Sequence, residues 1–220
     1  MPSRSVPAPL RVRRLPERAA YDEATIAPIL DEALVCHVAV VREGRPVVIP
    51  TLHARDGDRL LLHGSKAAGV FRDLRRDDTV CVTVTLIDGL VLARSAFHHS
   101  VNYRSVVVHG RAEEITDPVE KTAALRVVVE HVARGRWDDV RPPTAAELRE
   151  TGVWAVPLTE ASAKVRTGGP KDDAEDLALP VWAGVLPLRL ASGEPLADGG
   201  DAALPAYVAG WSRQPAASPA

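Results

Sequence analysis

The stretch DRLLLHGSKAAGVFRDLRR, residues 58–76, carries the first strong structural signal in the chain. Leu60, Leu61 and Leu62 form the apolar run of a buried strand, and Gly64-Ser65 marks a tight turn. Ala67, Val70, Phe71 and Leu74 then recur at i, i+3, i+4 and i+7, the spacing of one helical face. Ser65 is the expected N-cap of that helix. A helix start presents unpaired N–H groups and the positive end of a dipole, so it accepts anions, phosphate above all. Lys66 adds a full charge where a helix alone disfavours one, which points to an anionic ligand. A surface lysine that merely tolerates its position is the competing reading.

Composition narrows what the ligand's host can be. The 220 residues suit one domain with an extension. Apolar residues are 46% and charged residues 25%, as in a globular protein, while aromatics are only 4%, so Val, Leu, Ile and Ala must fill the core. A net charge of -2 argues against a large nucleic-acid surface. No apolar run is long enough to cross a bilayer, and the basic N-terminus lacks the apolar segment of a secretory signal. Cys36 and Cys81 lie in apolar runs and are expected to be buried, free thiols of a cytoplasmic protein.

Outward from the central stretch, strands dominate. Residues 1–20 are rich in Pro and Arg and read as an extended arm. A first helix follows Asp22, with Ile26, Ile29, Leu30, Ala33 and Leu34 on one face. Residues 34–42 and 45–55 are strands joined at Glu43-Gly44, and Asp56-Gly57 is a hairpin signal leading into the strand that ends at His63. Residues 79–87 alternate as a half-buried strand, Asp88-Gly89 turns the chain, and residues 102–115 form a long strand. Asp117, Pro118 and Glu120 predict a capping box over a helix that buries Leu125, Val128, Val129 and Val132 and ends at Gly135. Thr144 and Glu147 predict a second capping box. Residues 153–165 read as one strand, and residues 180–188 as a last strand or an ordered extension. From Ala191 a loosely packed tail is expected. Hairpin-joined strands imply an antiparallel sheet that can curl into a barrel; no GxGxxG follows a strand, so a doubly wound sheet is excluded.

Several chemistries lack their motifs. GxxxxGK[ST], HExxH, zinc-spaced cysteine pairs and GxSxG are all missing. No metal site is expected from His37, His53, His63, His98, His99, His109 and His131.

The segments VIPTLHARDGDRLLLHGSKAAGVFRDLRR, VCVTVTLIDGLVLARSAFHHSVNYRSVVVHGRA, SAKVRTG and LPVWAGVLPL, in that order, resemble the FMN-binding split-barrel flavoproteins. These form the pyridoxamine 5'-phosphate oxidase-like superfamily, here in its nitroimidazole-resistance-like branch. The resemblance implies a mainly β fold with flanking helices, a six-stranded antiparallel split barrel over residues 21–190, with an arm at 1–20 and a tail at 191–220. It implies a homodimer with FMN between subunits. Gly64, Ser65 and Lys66 would then hold the FMN phosphate, and Ile49, Pro50, Thr51 and Leu52 would flank the isoalloxazine. His63 would stand near the flavin, in a polar or proton-handling role or as a strand-end histidine satisfied by backbone. Asn102, Tyr103, Arg104 and Ser105 would come from the partner subunit. Lys164 and Arg166 are conspicuous strand cations that could serve phosphate or substrate. The C-terminal Arg and His pattern of true pyridoxamine phosphate oxidases is missing. The expected activity is transfer of electrons from NADH or NADPH to a small acceptor; the alternative is a non-catalytic flavin- or haem-binding protein.

Overall fold

Two turns show how local sequence sets this sheet. Glu43 and Gly44 both adopt left-handed conformations (φ 51° and 74°), as a two-residue hairpin of matching twist requires. Gly57 does the same at φ 60°. These turns join β2 (Val35–Arg42), β3 (Arg45–Asp56) and β4 (Arg59–Ser65) into a meander, with Arg42 opposite Arg45 and Asp56 opposite Arg59.

The computed structural model describes residues 10–200 and 202–213. The first part of the expected arm, 1–9, and the end of the tail, 214–220, lie outside the described residues. The remaining strands are β1 (Ala19–Ala20), β5 (Thr79–Leu92), β6 (Ser100–Arg111), β7 (Glu113–Glu114), β8 (Thr151–Pro157), β9 (Ala161–Arg166) and β10 (Gly184–Pro187). The helices are α1 (Glu23–Glu32), α2 (Gly69–Leu74), α3 (Pro118–Val132), α4 (Arg136–Asp139), α5 (Ala145–Glu150) and α6 (Ala206–Ala209). Strand order is β1-β9-β6-β5-β2-β3-β4-β8-β7, with β10 added to β5, and every pairing is antiparallel. The mainly β, helix-flanked split-barrel architecture therefore stands. The sheet holds ten strands rather than six, and among the described residues no pairing joins its two ends.

Two clusters fill the interior. The main one lies inside the curled sheet and includes Leu30, Val38, Leu60, Leu62, Val82, Val84, Val106 and Val108, closed by α1 and by Phe71 and Leu74 of α2. The second lies on the outer face, where Ala54, Leu61, Val153 and Ala155 meet Ala124 and Val128 of α3. Leu60, Leu61 and Leu62 are each fully buried, alternately against the two clusters, and each contributes roughly 2–3 kcal/mol of apolar burial.

Several expectations need correction. Residues 153–165 are not one strand: β8 pairs with β4, β9 pairs with β6, and a 3-10 turn at Leu158–Glu160 carries the chain between them. Asp88-Gly89 is not a turn. It is a bulge, and β5 runs on to Leu92 because Leu90 and Val91 still pair with Val101 and Ser100. β6 ends at Arg111, and Glu113–Glu114 switch to β8. Asp22 caps α1 through Thr25 N at 2.9 Å, as expected. Asp117 caps α3 through Val119 N and Glu120 N, but Glu120 does not complete a box; its carboxylate pairs with Arg59 at 2.8 Å. The box of Thr144 and Glu147 does form. α3 ends at Val132, ahead of Gly135, which precedes α4 instead. The tail is not loose throughout: Trp211 Nε1 donates to Val132 O at 2.8 Å, and Tyr207 Oη donates to Asp139 at 2.6 Å. The arm also docks, since Ala19 and Ala20 pair with Lys164 and Ala163.

Candidate functional site

β4 ends beside two glycines. Gly64 pairs with Gly152 of β8, and the missing side chains admit the Phe71 ring: a Cβ on Gly64 would lie 2.9 Å from Phe71 Cε2. Lys66 N then donates to Glu150 O at 2.9 Å, which holds the chain against β8 for one residue more. A turn follows, with Ala68 N on Ser65 O at 2.9 Å and Ala67 N on Ser65 Oγ at 3.2 Å. α2 begins only at Gly69, after Ala68, with no side-chain cap. Ser65 is therefore not an N-cap, and Lys66 is not at a helix start. Six helical residues also supply little dipole.

Lys66 instead meets charge of its own sign. Together with Lys121, Arg149, Thr116, Pro118 and Leu148 it lines a pocket of about 250 Å³. Lys121 is 4% exposed, and its Nζ donates to Thr151 O at 3.1 Å and Leu148 O at 3.4 Å. Burial first, and then the nearby Lys66, pull the Lys121 ammonium below the usual lysine range. Among the described residues neither lysine forms an ion pair. Glu114, which acts on Lys121 from a distance, is held by Arg75 at 2.9 Å. Sequence reasoning missed Lys121 and Arg149. The apolar spacing of α3 suggested burial along Leu125, Val128, Val129 and Val132; the observed line is Lys121, Ala124 and Val128, and this rotation carries the lysine inward.

The strand beside the pocket divides the expected ring contacts. Pro50 and Leu52 pair with His37 and Val35 on the outer face. Ile49 and Thr51 pair with Val38 and Cys36, which enter the core. Four consecutive strand residues cannot share one surface: Pro50 and Leu52 face the uncovered outer strip, while Ile49 and Thr51 point to the other face, where Ile49 is still 38% exposed. His63, opposite Val153, shares that outer face with Leu61. It is half-buried, burial lowers its pKa, and its Nδ1 has no hydrogen-bond partner.

β6 lies elsewhere in the chain's sheet, with β5, β2 and β3 between it and β4. One chain therefore does not bring Asn102, Tyr103, Arg104 and Ser105 to Ser65 and Lys66. Arg104 is bound by two carboxylates, Glu32 at 2.5 Å and 2.8 Å and Asp88 at 2.7 Å and 3.0 Å, and ties α1 to β5. Its charge is already spent on structure. Ser105 Oγ donates to Lys164 O at 3.3 Å, and Lys164 Nζ to Arg14 O at 3.0 Å. Asn102 accepts from Arg166 through Oδ1 and donates to Gly168 O at 3.1 Å.

Other expectations divide. Both cysteines are free, but only Cys36 is buried, with its thiol pushed up to about 12; Cys81 is half-buried. Among the described residues no cluster of His, Cys, Asp or Glu could hold a metal ion, and no helix is long and apolar enough to cross a membrane. A larger cleft of about 650 Å³, between the tail and α3, lies among Asp31, Glu130, His131 and Trp211, away from the site expected from sequence.

Comparison with known proteins supports the fold and places the chain in a family. Residues 22–165 match the family described as Pyridoxamine 5'-phosphate oxidase. The flavocytochrome Anf3 from Azotobacter vinelandii is 41% identical, with 92% of this chain and 96% of that chain covered and a TM-score of 0.87. The FAD and haem binding protein from Mycobacterium smegmatis is 35% identical over 89% of this chain and 97% of that one, with a TM-score of 0.84. A candidate 5-nitroimidazole antibiotic resistance protein from Bacteroides thetaiotaomicron is 29% identical over 67% and 86%, with a TM-score of 0.58. No curated protein matches. With residues 22–165 matched by the family and 92% of the chain aligned to a relative at 41% identity, the protein belongs to the pyridoxamine 5'-phosphate oxidase family.

Proposed function

We propose that this chain is a flavin-nucleotide-binding redox protein of the cytoplasm that passes electrons from NADH or NADPH to a small acceptor. The observation that carries this reading is the pairing of Lys66 with the buried Lys121, with no carboxylate on either among the described residues, at the end of β4, whose sheet neighbour β3 is exposed at Pro50 and Leu52. A buried ammonium facing a half-buried one of like sign favours an anion between them, and a phosphate meets two ammonium groups well. Ser65, Lys66 and Lys121 hold the phosphate of FMN in this reading, and Pro50 and Leu52 lie against its ring. The unpartnered Nδ1 of His63 suits a hydrogen bond to a polar ring edge. The flavin supplies the hydride and electron chemistry; the chain binds it, orients it and excludes water. A second copy of the chain brings Tyr103 and Ser105 and covers Val35, Val41, Val48 and Leu52, which are 46%, 61%, 56% and 36% exposed.

A second reading adds haem. Two near-full-length relatives are described as a flavocytochrome and as an FAD and haem binding protein, and His37 stands exposed on the same outer strip. An absorbance spectrum with mass measurement of the released cofactors separates FMN, FAD and haem.

Titration with FMN and riboflavin tests the phosphate site. Lys66→Ala removes one charge-assisted contact worth roughly 1.5–3 kcal/mol, so FMN binding should weaken about tenfold or more while riboflavin binding is unchanged. Equal affinity of the wild type for FMN and riboflavin overturns the phosphate assignment.

A further inference from the structure

We propose that Arg166, at the end of β9, is the base of a second anion-binding site that takes a phosphate or diphosphate group of a nucleotide. The argument begins with an unbalanced charge. Arg166 is 6% exposed, yet among the described residues no carboxylate bonds to it. Its donors meet only neutral oxygens: Asn102 Oδ1, and the carbonyls of Gly168 and Gly169, both at 3.4 Å. Those two carbonyl contacts are at the long limit of a hydrogen bond.

Two other sheltered arginines are neutralised, while among the described residues Arg213 bonds only to backbone carbonyls. Arg104 holds Glu32 and Asp88, and Arg94 holds Asp172 at 2.9 Å. Around Arg166 the neighbouring charge is positive as well. Burial first and then Arg18 pull its pKa down, and the Tyr103 hydroxyl opposes them weakly. Lys164, two residues earlier on β9, donates to the Arg14 carbonyl. Among the described residues, Arg18, Lys164 and Arg166 form no ion pair.

Space and rigidity complete the site. Gly168 and Gly169 are exposed, and a Cβ built on either would meet nothing within 4 Å, so among the described residues nothing packs on the loop after β9. Gly168 sits at φ 92°, a left-handed conformation that glycine holds without strain. Asn102 bonds both Arg166 and the Gly168 carbonyl and so positions the guanidinium. A planar guanidinium fork matches two phosphate oxygens better than a lysine does. An entering phosphate would replace the two long carbonyl contacts and supply the missing negative charge. None of the residues lining the Lys66–Lys121 pocket is among the bonding partners of Arg166, so the two sites share no residue.

Calorimetric titration with inorganic pyrophosphate tests the assignment, in the Lys66→Ala background so that the other pocket contributes least. The expected result is one remaining salt-sensitive site, weakened at least tenfold by Arg166→Gln and severalfold by Arg18→Ser. Arg18 is half-buried and carries no ion pair, so Arg18→Ser keeps the fold if Arg166→Gln does not. No pyrophosphate binding in the Lys66→Ala protein, or binding unchanged by Arg18→Ser, overturns the proposal. Displacement of the bound pyrophosphate by NADPH but not FAD assigns the site to the nicotinamide nucleotide. Displacement by FAD but not NADPH assigns it to the flavin's own diphosphate.

Discussion

The outer face of the sheet has two halves that share β3. At one end, Ala54 of β3 and Leu61 of β4 pack under Ala124 and Val128 of α3 and are fully buried. A few residues back along β3, Leu52, Pro50 and Val48 continue the same face with no cover, and β2 adds Val35 and Val41. The pattern of alternation is the same in both halves; what differs is whether a helix lies on top. The covered half contributes stability to the chain, whereas the bare half leaves apolar surface exposed, which the proposed function assigns to a flavin ring and a second copy.

Mutation of one leucine in each half should separate these roles. Leu61→Ala leaves a cavity beneath α3 and should cost about 2–5 kcal/mol in urea unfolding. Leu52→Ser, on the bare half, should cost well under about 1 kcal/mol and instead weaken self-association in sedimentation at low concentration. Similar stability losses for both variants would break the comparison.

Acid should attack the inner face of β3, behind the covered half. His53 is fully buried, with Nε2 on the Leu30 carbonyl at 3.1 Å and its ring 5.4 Å from that of His131. Burial, and then His131, lower its pKa to about 4 from 6.5. Below pH 6.5 the unfolded chain takes up a proton that the folded chain refuses, so stability falls as the pH drops towards 4. The expected loss is about 2 kcal/mol by pH 5 and about 3 kcal/mol by pH 4, added to by His131, whose pKa burial also lowers. Urea unfolding at several pH values should show this slope, and His53→Gln should flatten it. An unchanged slope in the variant would assign the acid sensitivity to other groups.

The smallest expected effect loosens the cover itself. Asp117 accepts from Val119 N at 3.0 Å and Glu120 N at 2.8 Å at the start of α3. Asp117→Ala should cost about 1 kcal/mol and raise hydrogen exchange under α3 without changing exchange in β2. Equal protection changes in both regions would show that α3 is not a local cover.

Much of this was legible in the residues. The hairpins at Glu43-Gly44 and Asp56-Gly57, the strands about them, the cap at Asp22 and the box at Thr144 and Glu147 all rest on interactions within a few residues, and local sequence determines such interactions. The apolar alternation of β2 and β5 likewise specified an antiparallel sheet with one face buried. The order of motifs was enough to identify the family. Tertiary structure decided the rest, because the deciding partners are far apart in the chain. Ser65 lost its capping role to the Glu150 carbonyl, which holds Lys66 in the ladder. Arg104 became structural because Glu32 and Asp88 reach it from two other elements. Lys121 turned inward because α3 packs through Ala124 and Val128, and no periodicity count weighs a lysine's bonds to carbonyls around the end of α5. Sequence by itself determined which residues alternate, turn and cap; only the assembled sheet decided which charges are neutralised and which remain for a ligand, since neutralisation depends on distance in space.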